Sequence, residues 1–180
     1  MVEFSIVNVV ATASLGERVD LEKLGPLKEF LHDPDIYGGR VAYFKSSNMS
    51  GRVSVFASGK MISVGAKSER EAANQLEYAK EFLVKEGFVK PITQMKCSVR
   101  NVVAVANFGR AIDLEALARK RKMIYEPEQF PGGIIRLDQP QKATVLLFSS
   151  GKAVIAGLTS CTQIDSTLQK IMVILRERED

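Results

Sequence analysis

The chain repeats itself. Ile6-Val7-Asn8-Val9-Val10-Ala11-Thr12-Ala13 returns as Val99-Arg100-Asn101-Val102-Val103-Ala104-Val105-Ala106, 93 positions later, and Asp20-Leu21-Glu22 returns at the same spacing as Asp113-Leu114-Glu115. Phe56-Ala57-Ser58-Gly59-Lys60 returns as Phe148-Ser149-Ser150-Gly151-Lys152, 92 positions later, and Gly65 returns as Gly157. The change in spacing puts one lost residue in the second copy, between positions 137 and 148. A duplication of this length implies two like halves, 1–90 and 91–180, packed as one quasi-symmetric body. Such a body has a two-fold-related surface, which suits a long pseudo-symmetric ligand such as duplex DNA.

With 46% hydrophobic residues, the chain can bury a proper core. It has no apolar run of about 18 residues, so no membrane span is expected, and Met1-Val2-Glu3-Phe4 lacks the basic start of a signal peptide. Two cysteines, Cys97 and Cys161, make neither a disulfide framework nor a metal set, which points to a reducing, intracellular compartment. The first ninety residues carry 12 Lys and Arg against 12 Asp and Glu, the last ninety 13 against 9, so the second half supplies the whole formal charge of +4. That excess suits a phosphate-bearing partner. The sequence shows no nucleophile–base pairing, no His/Cys metal cluster and no phosphate-cradling glycine loop, so neither an enzyme nor a cofactor is expected. His32, the only histidine, is placed beside Asp33 at a helix end.

Each half reads in the same order. A Val- and Ile-rich strand comes first, 4–14 and 96–107. A short helix follows, with Asp20 and Asp113 as N-caps, though Gly25-Pro26 shortens or breaks the first one. Short strands are expected around 39–45, 52–57 and 60–65, and again around 133–138, 143–148 and 152–157, with hairpin turns at 48–51, 139–142 and both Ser-Gly-Lys sites. A long helix closes each half, opened by the capping boxes Ser68-x-x-Glu71 and Ser160-x-x-Gln163. Pro91 lies in a short linker, about 88–95. The basic run Arg119-Lys120-Arg121-Lys122 reads as a solvated face, and 176–180 as a frayed tail. The whole is an α+β chain with a sheet backed by helices.

Strand residues alternate between two faces. One face gathers Asn8, Val10 and Thr12 with Phe56, Ser58, Lys60, Ile62 and Val64. Its second copy is Asn101, Val103 and Val105 with Phe148, Ser150, Lys152, Val154 and Ala156. The opposite face, with Val55, Met61, Leu147, Ala153 and Ile155, is uniformly apolar and suits packing beneath helices. Four helices cover only one side of such a sheet, leaving an apolar surface that marks a binding site. The alternative is that both faces are buried, by dimerisation or by more helix.

These residues resemble the TATA-box-binding protein family in its short archaeal form, over about residues 4–176. The resemblance rests on Asn-Val-Val-Ala after a strand start, Phe-x-Ser-Gly-Lys, Gly65-Ala66-Lys67-Ser68 and Tyr125-Glu126-Pro127-Glu128-Gln129-Phe130-Pro131-Gly132, all in duplicated order. It implies a duplicated TBP-like saddle, a curved ten-stranded antiparallel sheet with four helices on its convex side, and a general transcription initiation factor. Such a factor binds and bends A·T-rich promoter DNA through the minor groove and recruits transcription factor B.

On that reading Asn8 and Asn101 donate to base acceptors, unless each merely satisfies a backbone group. Val10, Ile62, Val103 and Val154 press on sugars and base edges. Phe56 and Phe148 insert between base steps, paired with Tyr37 and Phe130. Lys60, Lys152, Lys67 and Arg136, with Ser58 and Ser150, meet phosphates. Glu126 and Glu128 meet transcription factor B, and through it the RNA polymerase machinery. The free protein pairs with a second copy through the concave face, and its place is the cytoplasm, on the nucleoid.

The chain also departs from the family. Val64 and Ala156 stand where a threonine is usual, Tyr37 replaces a wedge phenylalanine, and Tyr43 stands where Arg136 predicts an arginine. Thr159 stands where Lys67 predicts a lysine. The departures imply a divergent member or paralogue. They keep open an alternative, a TBP-fold protein with altered or lost TATA specificity that acts as an interaction or regulatory module.

Overall fold

The computed structural model describes residues 2–35, 37–91, 94–120 and 123–176. Arg121 and Lys122 of the basic run, part of the linker and positions 177–180 of the tail lie outside the described residues. Ten strands form one sheet: β1 (Glu3–Ser14), β2 (Phe30–His32), β3 (Val41–Phe44), β4 (Arg52–Phe56), β5 (Lys60–Ala66), β6 (Ser98–Asn107), β7 (Met123–Ile124), β8 (Gly132–Leu137), β9 (Ala143–Phe148) and β10 (Lys152–Leu158). Their order is β2-β3-β4-β5-β1-β6-β10-β9-β8-β7. The duplicated sheet expected from the resemblance is therefore present. The pattern of single residues does not give β2 and β7, which are two or three residues long at the sheet edges.

The chain divides into two compact units. The first is Asn8–Arg100; the second is Met1–Val7 with Asn101–Asp180. In the first unit, α1 (Glu69–Lys85) buries Ala72, Gln75, Leu76, Ala79 and Leu83 and contacts β4 and β5. Beneath it lie Val9, Ala11, Val53, Val55 and Met61, none more than 0% exposed. Ser68 caps α1, its hydroxyl accepting from the Glu71 N–H at 3.0 Å. In the second unit, α3 (Ile164–Arg176) buries Ile164, Leu168, Ile171 and Leu175. The Ser160–Gln163 capping box opens the 3-10 turn Cys161–Gln163 that leads into it. Val102, Ala104, Val145, Leu147 and Ile155 form the matching apolar floor.

Three α-helices are present among the described residues, not four. Asp113 accepts from the Ala116 N–H at 2.9 Å and caps α2 (Leu114–Lys120). Its counterpart Asp20 opens no α-helix, although its carboxyl accepts from the Glu22 and Lys23 N–H groups. The first copy makes only a 3-10 turn at Glu22–Leu24, whose leading residue, Leu21, has no side-chain cap. Asp20 also pairs with the Lys23 ammonium at 3.1 Å. Gly25-Pro26 explains the shortfall, since Pro26 has no N–H to continue a helix. His32 likewise sits not at a helix end but in β2, where Nε2 lies 3.1 Å from the Gly39 carbonyl.

The register also corrects the indel. Leu31 faces Tyr43 while Ile124 faces Ile134, so the β2–β3 connection is two residues longer than β7–β8. Phe44 faces Val53 and Ile135 faces Val145, so the β3–β4 hairpin is one residue shorter than β8–β9. The net single-residue change read from sequence is two opposite changes, both at turns. The spatial counterpart of Tyr43 is therefore Ile134 rather than Arg136.

Candidate nucleic-acid interface

Alternation along each strand splits the sheet cleanly. Val9, Ala11, Val53, Val55, Met61 and Ser63 are buried, whereas Asn8, Val10, Thr12, Ser54, Phe56, Ile62 and Val64 are half-exposed. The second unit repeats this with Asn101, Val103, Val105, Leu146, Phe148, Val154 and Ala156 half-exposed. Cross-strand pairs carry the open face sideways: Thr12 faces Ile62, Ile62 faces Ser54, and Ser54 faces Tyr43. The matching row is Val105, Val154, Leu146 and Ile134. Side chains directly opposite in an antiparallel pair lie on one face, so each row is continuous: the second is apolar throughout, while the first sets Ile62 and the Tyr43 ring among the Thr12 and Ser54 hydroxyls.

The two asparagines hold the same post. Val9 pairs with Ala66 and Ala11 with Ser63, so Val64 and Gly65 together oppose Val10. The second unit has the same bulge, with Ala156 and Gly157 opposing Val103. A bulge of this kind leaves a backbone group without a ladder partner and favours glycine at positive φ. Gly65 and Gly157 both have φ +92. The Asn8 Oδ1 accepts from the Gly65 N–H at 2.8 Å, and the Asn101 Oδ1 from the Gly157 N–H at 2.8 Å. A backbone N–H only donates, so the side-chain oxygen is assigned without ambiguity. Each asparagine thus does satisfy a backbone group, and its amide NH2 is left as a donor to the open face.

Tight turns place the lysines. Gly59 N–H bonds the Phe56 carbonyl at 2.8 Å and Gly151 N–H the Phe148 carbonyl at 2.9 Å. The Ser58 and Ser150 hydroxyls accept from the Lys60 and Lys152 N–H groups at 3.4 Å each. Lys60 and Lys152 are exposed beside these turns. Phe56, Ser58, Lys60 and Ile62 line a groove of about 560 Å³ in the first unit. Phe148, Ser150, Lys152 and Val154 line one of about 710 Å³ in the second.

The wedge positions differ between units. Phe130 and Phe148 meet edge to face, ring centroids 5.9 Å apart. Gly132 faces Phe148 across the ladder, and a Cβ there would lie 2.7 Å from one ring and 3.0 Å from the other. The bare glycine makes the pair possible. In the first unit Val41 faces Phe56. Tyr37 lies in a 3-10 turn with φ +51, 74% exposed. Among the described residues no aromatic ring packs against Phe56.

Some candidates stand apart. Lys67 is exposed before the α1 cap, its N–H bonding Glu71 Oε2 at 2.7 Å; it lines neither groove. At the matching place the Thr159 N–H bonds Gln163 at 2.9 Å. Arg136 is exposed on β8, opposite Thr144. Extending the β3–β4 ladder by one pair, its counterpart is Lys45. That ammonium is committed to the turn, donating to the Met49 and Ser50 carbonyls at 2.8 and 2.9 Å. Arg52 carries the open-face cation there instead, its guanidinium 4.5 Å above the Tyr43 ring. Glu126 and Glu128 are exposed on the β7–β8 turn, which the Glu126 carbonyl closes by accepting from the Gln129 and Phe130 N–H groups at 2.9 Å.

Sequence reasoning misses Arg52, Lys96 and Arg100. Lys96 and Arg100 line the first groove, and Arg100 Nε bonds Thr12 Oγ1 at 3.0 Å. The repeat itself could have found them, because at the offset of 93 they stand against Glu3 and Val7.

The family model described as transcription factor TFIID, or TATA-binding protein, matches residues 3–85 and 96–178, one match to each repeat. The chain belongs to the TATA-box-binding protein family. The TATA-box-binding protein of Cenarchaeum symbiosum is 41% identical over 157 residues, covering 86% of this chain and 84% of the relative. That of Methanocaldococcus jannaschii is 35% identical over 183 residues, covering 99% and 96%. The solved structure of Methanococcus jannaschii TBP superposes with a TM-score of 0.85 at 34% identity, covering 97% of this chain and 99% of the other. By family this is a transcription initiation factor of the TATA-box-binding type, not an enzyme. Among the described residues no helix is long and apolar enough to cross a membrane.

Proposed function

We propose that the open faces of the two units bind the minor groove of an A·T-rich promoter element, bend the DNA, and present the β7–β8 turn to transcription factor B. The observation that carries this reading is the paired face itself, with one asparagine amide donor at the same bulge in each unit, set in a face that is apolar in the second unit and mixes apolar and hydroxyl side chains in the first. The minor groove of A·T pairs offers acceptors only, whereas G·C adds an amino donor. Against an apolar floor that amino group is left without a partner, which is costly when buried. The face thus accepts A·T and penalises G·C without a base-by-base code.

Phe130 and Phe148 serve as the wedge. Unstacking a base step costs a few kcal/mol, offset by the extra surface that bent DNA wraps; this family is among the proteins from which that rule comes. Lys60, Lys152, Lys67 and Arg136 meet phosphates. Glu126 and Glu128 offer carboxylates to transcription factor B, and the polymerase is engaged through that factor. Without DNA, a second copy covers the same apolar face. The working location is the cytoplasm, on the nucleoid.

The test is a titration into a short duplex carrying a TATA element, labelled at both ends for energy transfer, with a GC-rich control. The expected result is A·T-selective, salt-sensitive binding with a shortened end-to-end distance. Equal or absent binding to both duplexes, without bending, would leave the protein-interaction reading in its place.

A further inference from the structure

We infer that the two units divide the work on DNA: the first clamps the backbone electrostatically, while the second makes the kink. This deepens the reading above and rests on it. The two grooves are built from equivalent positions, yet their charges differ. The first is lined by Lys60, Lys96 and Arg100 with no carboxylate. The second is lined by Lys152 and Glu3, a balanced pair. The whole difference arises at two repeat-related positions, Glu3 against Lys96 and exposed Val7 against Arg100. Arg100 is held in place by its bond to Thr12. A groove with three cations concentrates phosphate contacts; one with no net charge does not.

The aromatic equipment is divided the other way. The second unit has a built wedge, Phe148 braced by Phe130 over a glycine that leaves room for both rings. In the first unit a valine side chain stands opposite Phe56 where that glycine would be, the loop before β3 is two residues longer, and Tyr37 points into solvent. DNA supplies matching ends. A-tracts are stiff, with a narrow groove of enhanced negative potential, while TA steps kink easily. On an element with an A-tract at one end and a TA step at the other, the protein takes one orientation: cationic groove over the A-tract, Phe130–Phe148 at the TA step.

Two such duplexes, identical but for 2-aminopurine at one end or the other, report unstacking at each end as a rise in fluorescence. The expected rise is at the TA end alone, and Phe148→Ala removes it. Each phosphate contact contributes about 0.9 to the slope of log K against log salt. Lys96→Ala with Arg100→Ala should therefore lower the slope by about 2, and Glu3→Lys should raise it by about 1. Equal rises at both ends, or slopes that neither variant moves, would overturn the division while leaving A·T-selective binding intact. Loss of A·T selectivity in the unmodified protein would sink the division and the DNA reading together.

Discussion

Replacing Asn101 by aspartate separates what this residue does for the fold from the DNA contact proposed for it. The Oδ1 of Asn101 accepts from the Gly157 N–H at 2.8 Å, and a carboxylate oxygen accepts that bond equally well. Asn101→Asp therefore keeps the bulge intact. It removes the outward amide donor and puts a negative charge on the open face. The lost hydrogen bond is worth about 1 kcal/mol. Repulsion from a phosphate about 8 Å away, at an effective dielectric of about 20 to 40, adds about 1 to 2 kcal/mol. Binding to a TATA duplex should weaken roughly 30- to 150-fold, with the melting temperature nearly unchanged. Asn101→Ala does the reverse to the fold: it leaves the exposed Gly157 N–H to water and loses the net worth of the bond, about 0.5 to 1.5 kcal/mol, or roughly 1 to 6 °C in melting temperature for a chain of this size. Fluorescence anisotropy with a labelled duplex and differential scanning calorimetry give the two readouts. If Asn101→Asp binds as tightly as the unmodified protein, the amide does not face the groove and the site is wrongly drawn. Asn8→Asp should behave alike, because the bulge is the same, while Asn8→Ala should cost more than Asn101→Ala, because the bond to Gly65 is part-buried.

Further outcomes follow from the turns, the caps and the thiol. Gly151 has φ +85 and a Cβ there would lie 2.1 Å from the Arg110 carbonyl oxygen, so Gly151→Ala combines backbone strain with a backbone clash. It should cost more than about 3 kcal/mol in urea unfolding, and a loss below about 1 kcal/mol would mean the turn is not docked as described. The Ser50 hydroxyl and the Lys67 N–H hold the Glu71 carboxyl below its usual range. The stability this contributes is present above the ordinary glutamate pKa and lost as pH falls through the lowered one. Glu71→Gln should accordingly flatten the acid limb of the melting temperature against pH, and an unaltered limb would remove Glu71 from that account. Burial, then Glu77 and Glu69, push the Cys97 thiol up, so iodoacetamide at pH 8 should modify it more slowly than a free thiol until denaturant is added. Equal rates before and after denaturant would contradict that environment.

Much of this molecule is legible in the chain because duplication reads every signal twice. Ser68-x-x-Glu71 and Ser160-x-x-Gln163 fall where long helices begin, and period-two alternation sorts Val9 from Val10 and Val102 from Val103 onto the faces they occupy. What escapes is whatever a linear offset cannot express. The edge strands Phe30–His32 and Met123–Ile124 are too short to show alternation. The offset of 93 matches Tyr37 with Phe130 and Tyr43 with Arg136, but register depends on turn length, and the two-residue difference between the β2–β3 and β7–β8 connections moves the strand matches by two residues, from Arg136 to Ile134 at Tyr43. The partner opposite Phe56 decides whether a second ring fits beside it, and that partner, Val41, is set by pairing rather than by spacing. Net charge misleads for a similar reason. The second half supplies the excess by count, yet Lys96 and Arg100 fall within the first unit and line its groove.

That exchange of strand ends has a practical side. Val2–Ser5 lies where the second unit is built: Glu3, Phe4 and Ser5 line the groove that holds Phe148, and Val2 and Glu3 border the neighbouring hollow at Phe108 and Met172. Anything joined ahead of Val2, whether an affinity tag, a fluorescent fusion or a natural extension, emerges at the hollow of Phe108 and Met172, which shares Glu3 and Asn107 with the groove that holds Phe148. On the proposed DNA-binding mode, an amino-terminal label crowds the second unit's groove, and a tag cut back to a stub is not a neutral remnant there.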